Sequence, residues 1–447
     1  MPHQDDSNLL TNLSEVKGAL ERLLPEEVEN FTRHGNATLE VGWLTRVALI
    51  CCGWTTQGTL GDRVQAACTM VGRLWNVETS VSRQGLFQSL KTCGEELIQV
   101  ILSHLTPSLA KLSGHWTAGG KVNIAVDGSK MKAPRTEANQ QAFAPNRQTN
   151  RRQKAYQTQA DASKAATVQL LLTAFWHVGT GLPLRWVIRG SDGSERKSVR
   201  EWITQLPANT RLIGDAEYVG YPLWSSIIAA RRSFLFRVGA NVTLLKNLGR
   251  YKFHDGYVYF WPERVMKSDE QPLLLKLFQI HDGRKTICLV TNELEMCQTL
   301  ASDLYRRRWG VEVYFRTLKQ TLGRRKLLCG SPTNVVTELN WTLLGTWFAL
   351  YLGKQALHAE HMDLQRLSPV KVLRAFQWLV NVICLVAADT PLLRQLLAAA
   401  TLADEPPRTD GKRSRNYPRQ KKHTPCGVPT LMSPTPLQRV HAKKLNL

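Results

Sequence analysis

The sequence has little of what marks a secreted, membrane-spanning or zinc-bearing chain. No apolar run reaches the 18 or so residues of a spanning helix, since Leu343–Leu352 and Trp378–Ala388 are both too short. The opening residues Met1-Pro-His-Gln-Asp-Asp lack the basic and then apolar layout of a secretory signal. The expectation is a soluble cytoplasmic chain with no membrane partner. Cysteine is sparse, nine in 447 residues, with no C-x-x-C pair and no zinc-like spacing to histidine. Those thiols read as buried groups in a reducing compartment. No internal repeat is visible. Acidic residues are also in deficit, 36 against 58 Lys and Arg, leaving a net charge of +22. Such an excess favours a polyanionic partner and steers it from a distance. An acidic membrane surface would satisfy the charge as well, but the pattern suits a chain associated with the nucleoid.

The text changes character along its length. From Asn8 to Leu112 apolar residues recur at three- and four-residue steps, which predicts helices. Thr59–Leu74 and Ser82–Leu90, joined by the turn Asn76–Ser80, could form a helix-turn-helix with Arg83, Gln84 and Lys91 on its second helix. That pattern is weak, because two short helices and a turn occur in most helical domains. After Gly119-Gly120 strands begin. Val122–Asp127 is an apolar run that ends on a carboxylate, with a turn expected at Gly128-Ser129. Thr167–Val178 and Leu182–Arg189 read as a hairpin around Gly179-Thr-Gly181. A helix over Ser194–Leu206 follows, then the strand Arg211–Gly214, which runs into Asp215. Pro222–Arg232 is a helix with proline in its first turn, and Phe234–Val238 a fifth strand. The order β-β-β-α-β-α-β predicts an α/β fold, a mixed sheet covered by helices on both faces. A mostly β insertion is expected over about 239–279, including Tyr257–Trp261. The expected domains are a helical, DNA-binding region over 1–118, an α/β core over 119–330, a helical region over 331–404 and a basic tail over 405–447. Trp341–His358, Val370–Val386 and Pro391–Leu402 read as packed helices. The tail from Glu405 has few apolar anchors and is expected to be disordered.

Residues 305–319 carry the most chemistry. Read as one helix at about 100° per residue, Tyr305, Arg308, Glu312 and Lys319 share one stripe. A second stripe of Leu304, Val311, Phe315, Leu318 and Leu322 would face the core. The plain alternative is a solvated basic helix with one incidental Glu. Three carboxylates thus stand at informative places: Asp127, Asp215 and Glu312. Each aspartate taken singly suits a cap or turn. Together, with no histidine or thiolate nearby in sequence, the three suit Mg²⁺, with Mn²⁺ able to substitute. Two such ions about 3.5–4 Å apart can activate a water or 3′-hydroxyl and steady the leaving oxygen at phosphorus. Glu217 is a rival carboxylate, two residues from Asp215 and so on the opposite side of a continuing strand. The stretch Lys130–Lys154, with Arg151 and Arg152, holds seven cations and a single acid and is expected to touch DNA phosphates.

Tyr305, Arg308, Glu312 and Lys319 match the Y-x2-R-x3-E-x6-K signature of the IS-four family of bacterial insertion-sequence transposases. Asp127-Gly128-Ser129 resembles that family's first-aspartate motif and the strand ending in Asp215 its second. The resemblance covers about Lys121 to Gly330. It implies a ribonuclease-H-like core of the DDE class in which Asp127, Asp215 and Glu312 are catalytic and bind two Mg²⁺ ions. It also implies a cut-and-paste course on double-stranded DNA: nicking of the terminal inverted repeat, hairpin formation, reopening, and joining to target DNA. Tyr305, Arg308 and Lys319 would hold end phosphates around a base swung out of the duplex, Trp261 would stack on it, and a homodimer would cut two ends together. One departure stands out. Where the family often has Arg, Gly and an aromatic after the second aspartate, this chain has Ala216-Glu217-Tyr218. Two rivals share the charge and helices: a DNA-binding repressor or architectural protein derived from a transposase, and a structure-selective nuclease on the same fold.

Overall fold

The computed structural model describes residues 16–31, 39–56, 58–112, 114–144, 168–282, 285–385 and 426–445. Before the sheet come α1 (Val41–Leu49), α2 (Leu60–Trp75) and α3 (Arg83–Ala110). A capping box closes the start of α2, with Thr59 and Asp62 bonding each other's backbone N–H groups. Asn76 ends α2 in the left-handed region at φ 54°. The second helix of the suggested helix-turn-helix is far from short: α3 runs for 28 residues, bent where Gly94 adopts φ 63°. Arg83, Gln84 and Lys91 are exposed on it.

Strand β1 (Val122–Lys132) opens with five consecutive buried residues, as expected of a strand covered on both faces. It does not turn at Gly128-Ser129. Those residues pair with Thr173 and Leu172 of β2 (Gln169–His177), and this ladder carries the strand straight on to Lys132. β2 and β3 (Leu182–Gly190) form the expected hairpin. Helix α4 (Glu195–Trp202) leads to β4 (Thr210–Gly214), and α5 (Tyr221–Ala229) leads to β5 (Ser233–Val238). β1, β4 and β5 are parallel neighbours, and β2 alone among the five runs the other way. Helical crossovers are what parallel pairing requires. The order β3-β2-β1-β4-β5 is the ribonuclease-H-like arrangement.

The segment expected to interrupt this scheme instead extends it. β6 (Thr243–Leu245), β7 (Tyr257–Phe260), β8 (Leu273–Asp282) and β9 (Lys285–Thr291) continue the sheet through antiparallel pairing of β9 with β5. Next come α6 (Gln298–Arg307), α7 (Trp309–Arg316), α8 (Pro332–Ala359) and α9 (Pro369–Leu385). Helices before and after the sheet share one hydrophobic cluster with it, from Val16 to Val380. Gly53 and Gly345 allow the closest approach, since a Cβ on Gly345 would lie 2.3 Å from the Leu49 carbonyl oxygen. Trp54 Nε1 donates to the Gly345 carbonyl at 2.8 Å across the same contact.

The tail differs from its expectation. Residues 426–445 form β10 (Thr430–Met432), parallel to β6 at the edge of the ten-stranded sheet, and α10 (Pro436–Lys444). The edge of β6 supplies backbone partners, and Ala442 enters a small cluster with Leu245, Leu248, Tyr259, Trp261 and Met266. Few apolar residues suffice when a sheet edge provides the hydrogen bonds. The expected helix Pro391–Leu402 and residues 405–425 lie outside the described residues.

Candidate active site

The register between β1 and β4 places the two aspartates. Val122, Asn123, Ile124 and Ala125 pair with Thr210, Arg211, Leu212 and Ile213. The same offset carries Asp127 and Asp215 to matching places at the ends of these adjacent strands, two residues past the last paired positions. The register is pinned by a buried polar pair. Arg211 donates to Asn123 Oδ1 at 2.8 Å and to both carboxylate oxygens of Glu293 at 2.6 Å. Asp127 Oδ1 accepts the Gly128 N–H at 2.9 Å, and Asp215 Oδ1 accepts the Glu217 N–H at 2.8 Å. Asp215 thus also fills the turn-capping role that its position suggested. Glu217 is exposed on the turn.

Glu312 comes to this point on α7. The stretch 305–319 is not one uniform helix: α6 and α7 meet at Arg308, and residues 317–321 widen into a π turn. Leu304, Val311, Phe315, Leu318 and Leu322 are nevertheless all buried, as their stripe predicted. Asp127, Asp215, Glu312 and Lys319 line one open depression together with Gly128, Ser129, Phe315, Arg316 and Gln320. Arg308 Nη2 donates to Glu312 Oε1 at 2.8 Å, and its guanidinium lies 5.3 Å from the Tyr305 ring centroid. Arg308 is buried, and its Nε and Nη1 find no hydrogen-bond partner among the described residues. Buried donors of this kind ordinarily have acceptors.

The electrostatics leave the depression short of positive charge. Burial pushes the Asp127 carboxyl up to about 7; Asp215 and Glu195 add to the rise, while Arg308 and the Gly128 N–H oppose it. Burial also lowers the Lys319 ammonium, helped by Arg325 and opposed by Asp127. Tyr305 is raised by burial, with Arg308 and Arg237 opposing, and Arg237 is in hydrogen-bonding reach of its hydroxyl. Hard oxygen donors crowded into one depression suit a divalent cation. Among the described residues no three Asp, Glu, His or Cys side chains already converge as a metal cage. Asp127 and Asp215 form the near pair, and Glu312 lines the same depression while turned to Arg308. The donor chemistry fits a divalent ion once Glu312 leaves that ion pair.

Other expected residues lie elsewhere. Trp261 does not offer its ring to a base: it is 3 % exposed, donates from Nε1 to the Glu270 carbonyl at 2.8 Å, and meets His441 of α10 edge-on. The tail covers the face that stacking would need. Trp309, one turn before Glu312, has the exposed ring instead, at 51 %. Arg151 and Arg152 lie outside the described residues. Sequence reasoning missed Glu195, Tyr218 and Arg237. An arginine within the apolar strand Phe234–Val238 was a signal for the last, and the aromatic position after the second aspartate was one for Tyr218; Glu195 had none, because its contacts join separate elements.

Residues 118–347, more than half of the chain, match the model of the Transposase DDE domain family, and the chain belongs to that family. It is a DDE-class transposase, of a class that acts on DNA with divalent metal ions. Transposase InsG for insertion sequence element IS4 of Escherichia coli (strain K12) is 23% identical over 376 residues, 78% of each chain. Piggybac transposase, solved by cryo-EM in a synaptic complex with hairpin DNA, overlays loosely: TM-score 0.39 and 11% identity over 92% of this chain and 87% of that one.

Proposed function

We propose that this chain is a cut-and-paste transposase that cleaves the terminal inverted repeats of its element and joins the freed 3′ ends to target DNA. The observation that carries this reading is the register-matched pair Asp127 and Asp215 lining one depression with Glu312 and Lys319, with Arg308 ion-paired to Glu312. Asp127, Asp215 and Glu312 would hold two Mg²⁺ ions. When bound, such ions activate the attacking oxygen and offset charge on the leaving one. The side chains around them bind and orient DNA. Arg308 has two donors without a partner among the described residues that could turn to a phosphate, and Lys319 adds a point charge in the depression. Tyr305, in contact with Arg308 and Arg237, would supply a further hydroxyl. A base swung out of the duplex loses a few kcal/mol of stacking, and the exposed ring of Trp309 is available to restore some of it.

The same carboxylates would serve hydrolysis, attack of the 3′-hydroxyl on the opposite strand to close a hairpin, reopening by water and final joining. Two ends cut together call for a homodimer on DNA. The test is a gel assay with Mg²⁺ and a labelled duplex carrying the inverted repeats that flank the coding region. Wild type should yield nicked, hairpin and joined products. Asp127→Ala should lose all three while still binding the duplex, and cleavage retained by Asp127→Ala would overturn the assignment.

A further inference from the structure

Parallel pairing of β1 and β4 ends at Ala125 and Ile213, two residues short of the aspartates. Beyond that point no ladder bond between the two strands fixes how far apart Asp127 and Asp215 stand. Glu195 occupies that gap from behind. It is the first residue of α4, after the Ser194 N-cap, whose side chain accepts the Lys197 N–H. Its carboxylate lies against Gly128, so closely that a Cβ there would come within 1.9 Å of Oε1. Its Oε2 accepts the Tyr218 O–H at 2.6 Å. Tyr218 is buried and closes the turn capped by Asp215, its own N–H donating to the Asp215 carbonyl at 3.3 Å.

Glu195 therefore touches the backbone one residue after Asp127 and, through Tyr218, the turn that holds Asp215. Side chains alternate along a strand, so the face that Gly128 presents to Glu195 is opposite the one from which Asp127 points. Glu195 lies behind β1, outside the lining of the depression, and is placed to act through the aspartates. We propose that Glu195 is a positioning residue which, with Tyr218, sets the separation of the Asp127 and Asp215 carboxylates and thereby the affinity of the pair for a divalent ion. This rests on reading those aspartates as metal ligands. Tyr218 stands at the aromatic position after the second aspartate, and its hydroxyl makes the contact to Glu195. The Glu195 carboxylate also explains glycine after Asp127, since any side chain there would displace it.

Binding of Mn²⁺ alone to the full chain, followed by the electron paramagnetic resonance of the free ion, tests the inference without relying on DNA cleavage. Glu195→Ala and Tyr218→Phe should each weaken the tight site about 10- to 100-fold, the range for groups that orient metal ligands. The double variant should be no weaker than the weaker-binding single, because both changes cut one connection. Glu195→Gln, which keeps an acceptor for Tyr218, should recover most of the affinity. Wild-type Mn²⁺ affinity in folded Tyr218→Phe, or additive losses in the double variant, would overturn the inference. Tyr218→Phe removes one oxygen atom, so it carries the test even where Glu195→Ala does not fold. Asp127→Ala is the separate control: Mn²⁺ bound as tightly as by wild type would sink the ligand assignment itself.

Discussion

Burial acts on His177 as it acts on Asp127, favouring the neutral form, but on a base the consequence has the opposite sign. His177 Nδ1 accepts the Thr180 N–H at 3.1 Å, so the proton sits on Nε2, which donates to the Trp116 carbonyl at 2.9 Å. Burial lowers its pKa from 6.5 to about 4, with His115 adding to the fall and the Trp116 carbonyl opposing. Below pH 6.5 the unfolded chain takes up a proton that the native ring refuses. This contribution to stability is therefore complete above about pH 6.5 and lost as pH falls towards 4. At about 1.4 kcal/mol per unit, the loss is on the order of 2–3 kcal/mol. Urea midpoints at neutral pH and near pH 4.5 should fall further for wild type than for His177→Gln. Equal falls in the two proteins would show that His177 is not the group responsible.

Elements whose signals are local were legible in the sequence, and those fixed by distant partners were not. The β2–β3 hairpin announced itself by apolar runs around Gly179-Thr-Gly181, and the strand into Asp215 by a short apolar run ending at Gly214. The passage of β1 through Gly128-Ser129 did not, because it depends on pairing with β2 some 45 residues on. The stripe from Tyr305 to Lys319 assumed one helical period throughout. The break at Arg308 and the π turn over 317–321 change that period, yet the buried stripe survives because packing on the core selects it. The tail was the least legible element, since its strand exists through bonds such as Lys246 N–H to the Met432 carbonyl at 2.8 Å and Thr430 N–H to the Val242 carbonyl at 2.9 Å. Deleting residues 426–447 removes those partners and takes Ala442 from the Trp261 cluster. Amide hydrogen exchange should then rise at least about tenfold in β6 and β7, whose local opening becomes easier, with β1 and β4 unchanged. Unchanged exchange in β6 would mean that the tail does not hold this edge.

At the scale of the whole molecule, the regions 1–118 and 331–404, read in the sequence as separate helical parts, contribute to one core through Gly53 and Gly345. A close approach of two glycines 292 positions apart leaves no periodic trace, which is why that join could not be read. Charge, by contrast, was legible from composition alone. Buried arginines pair two acids, Glu293 with Arg211 and Glu312 with Arg308, while Asp303 pairs with Arg306 and Arg307 at the surface. Each such pair cancels as much positive as negative charge, so the excess of +22 remains and favours a partner whose own charge is dense. For DNA this predicts a steep salt dependence, with log K falling by about 0.9 per phosphate neutralised for each unit of log salt. Titrations of a duplex at several salt concentrations should give a large negative slope for wild type. Arg308→Ala and Lys319→Ala should each reduce it by about one, the signature of a single phosphate contact. Cleavage should fall by far more than affinity in both variants, because the rest of the basic surface still holds the duplex while the scissile phosphate loses its clamp. A slope unaltered by both substitutions would place these two cations away from the DNA backbone.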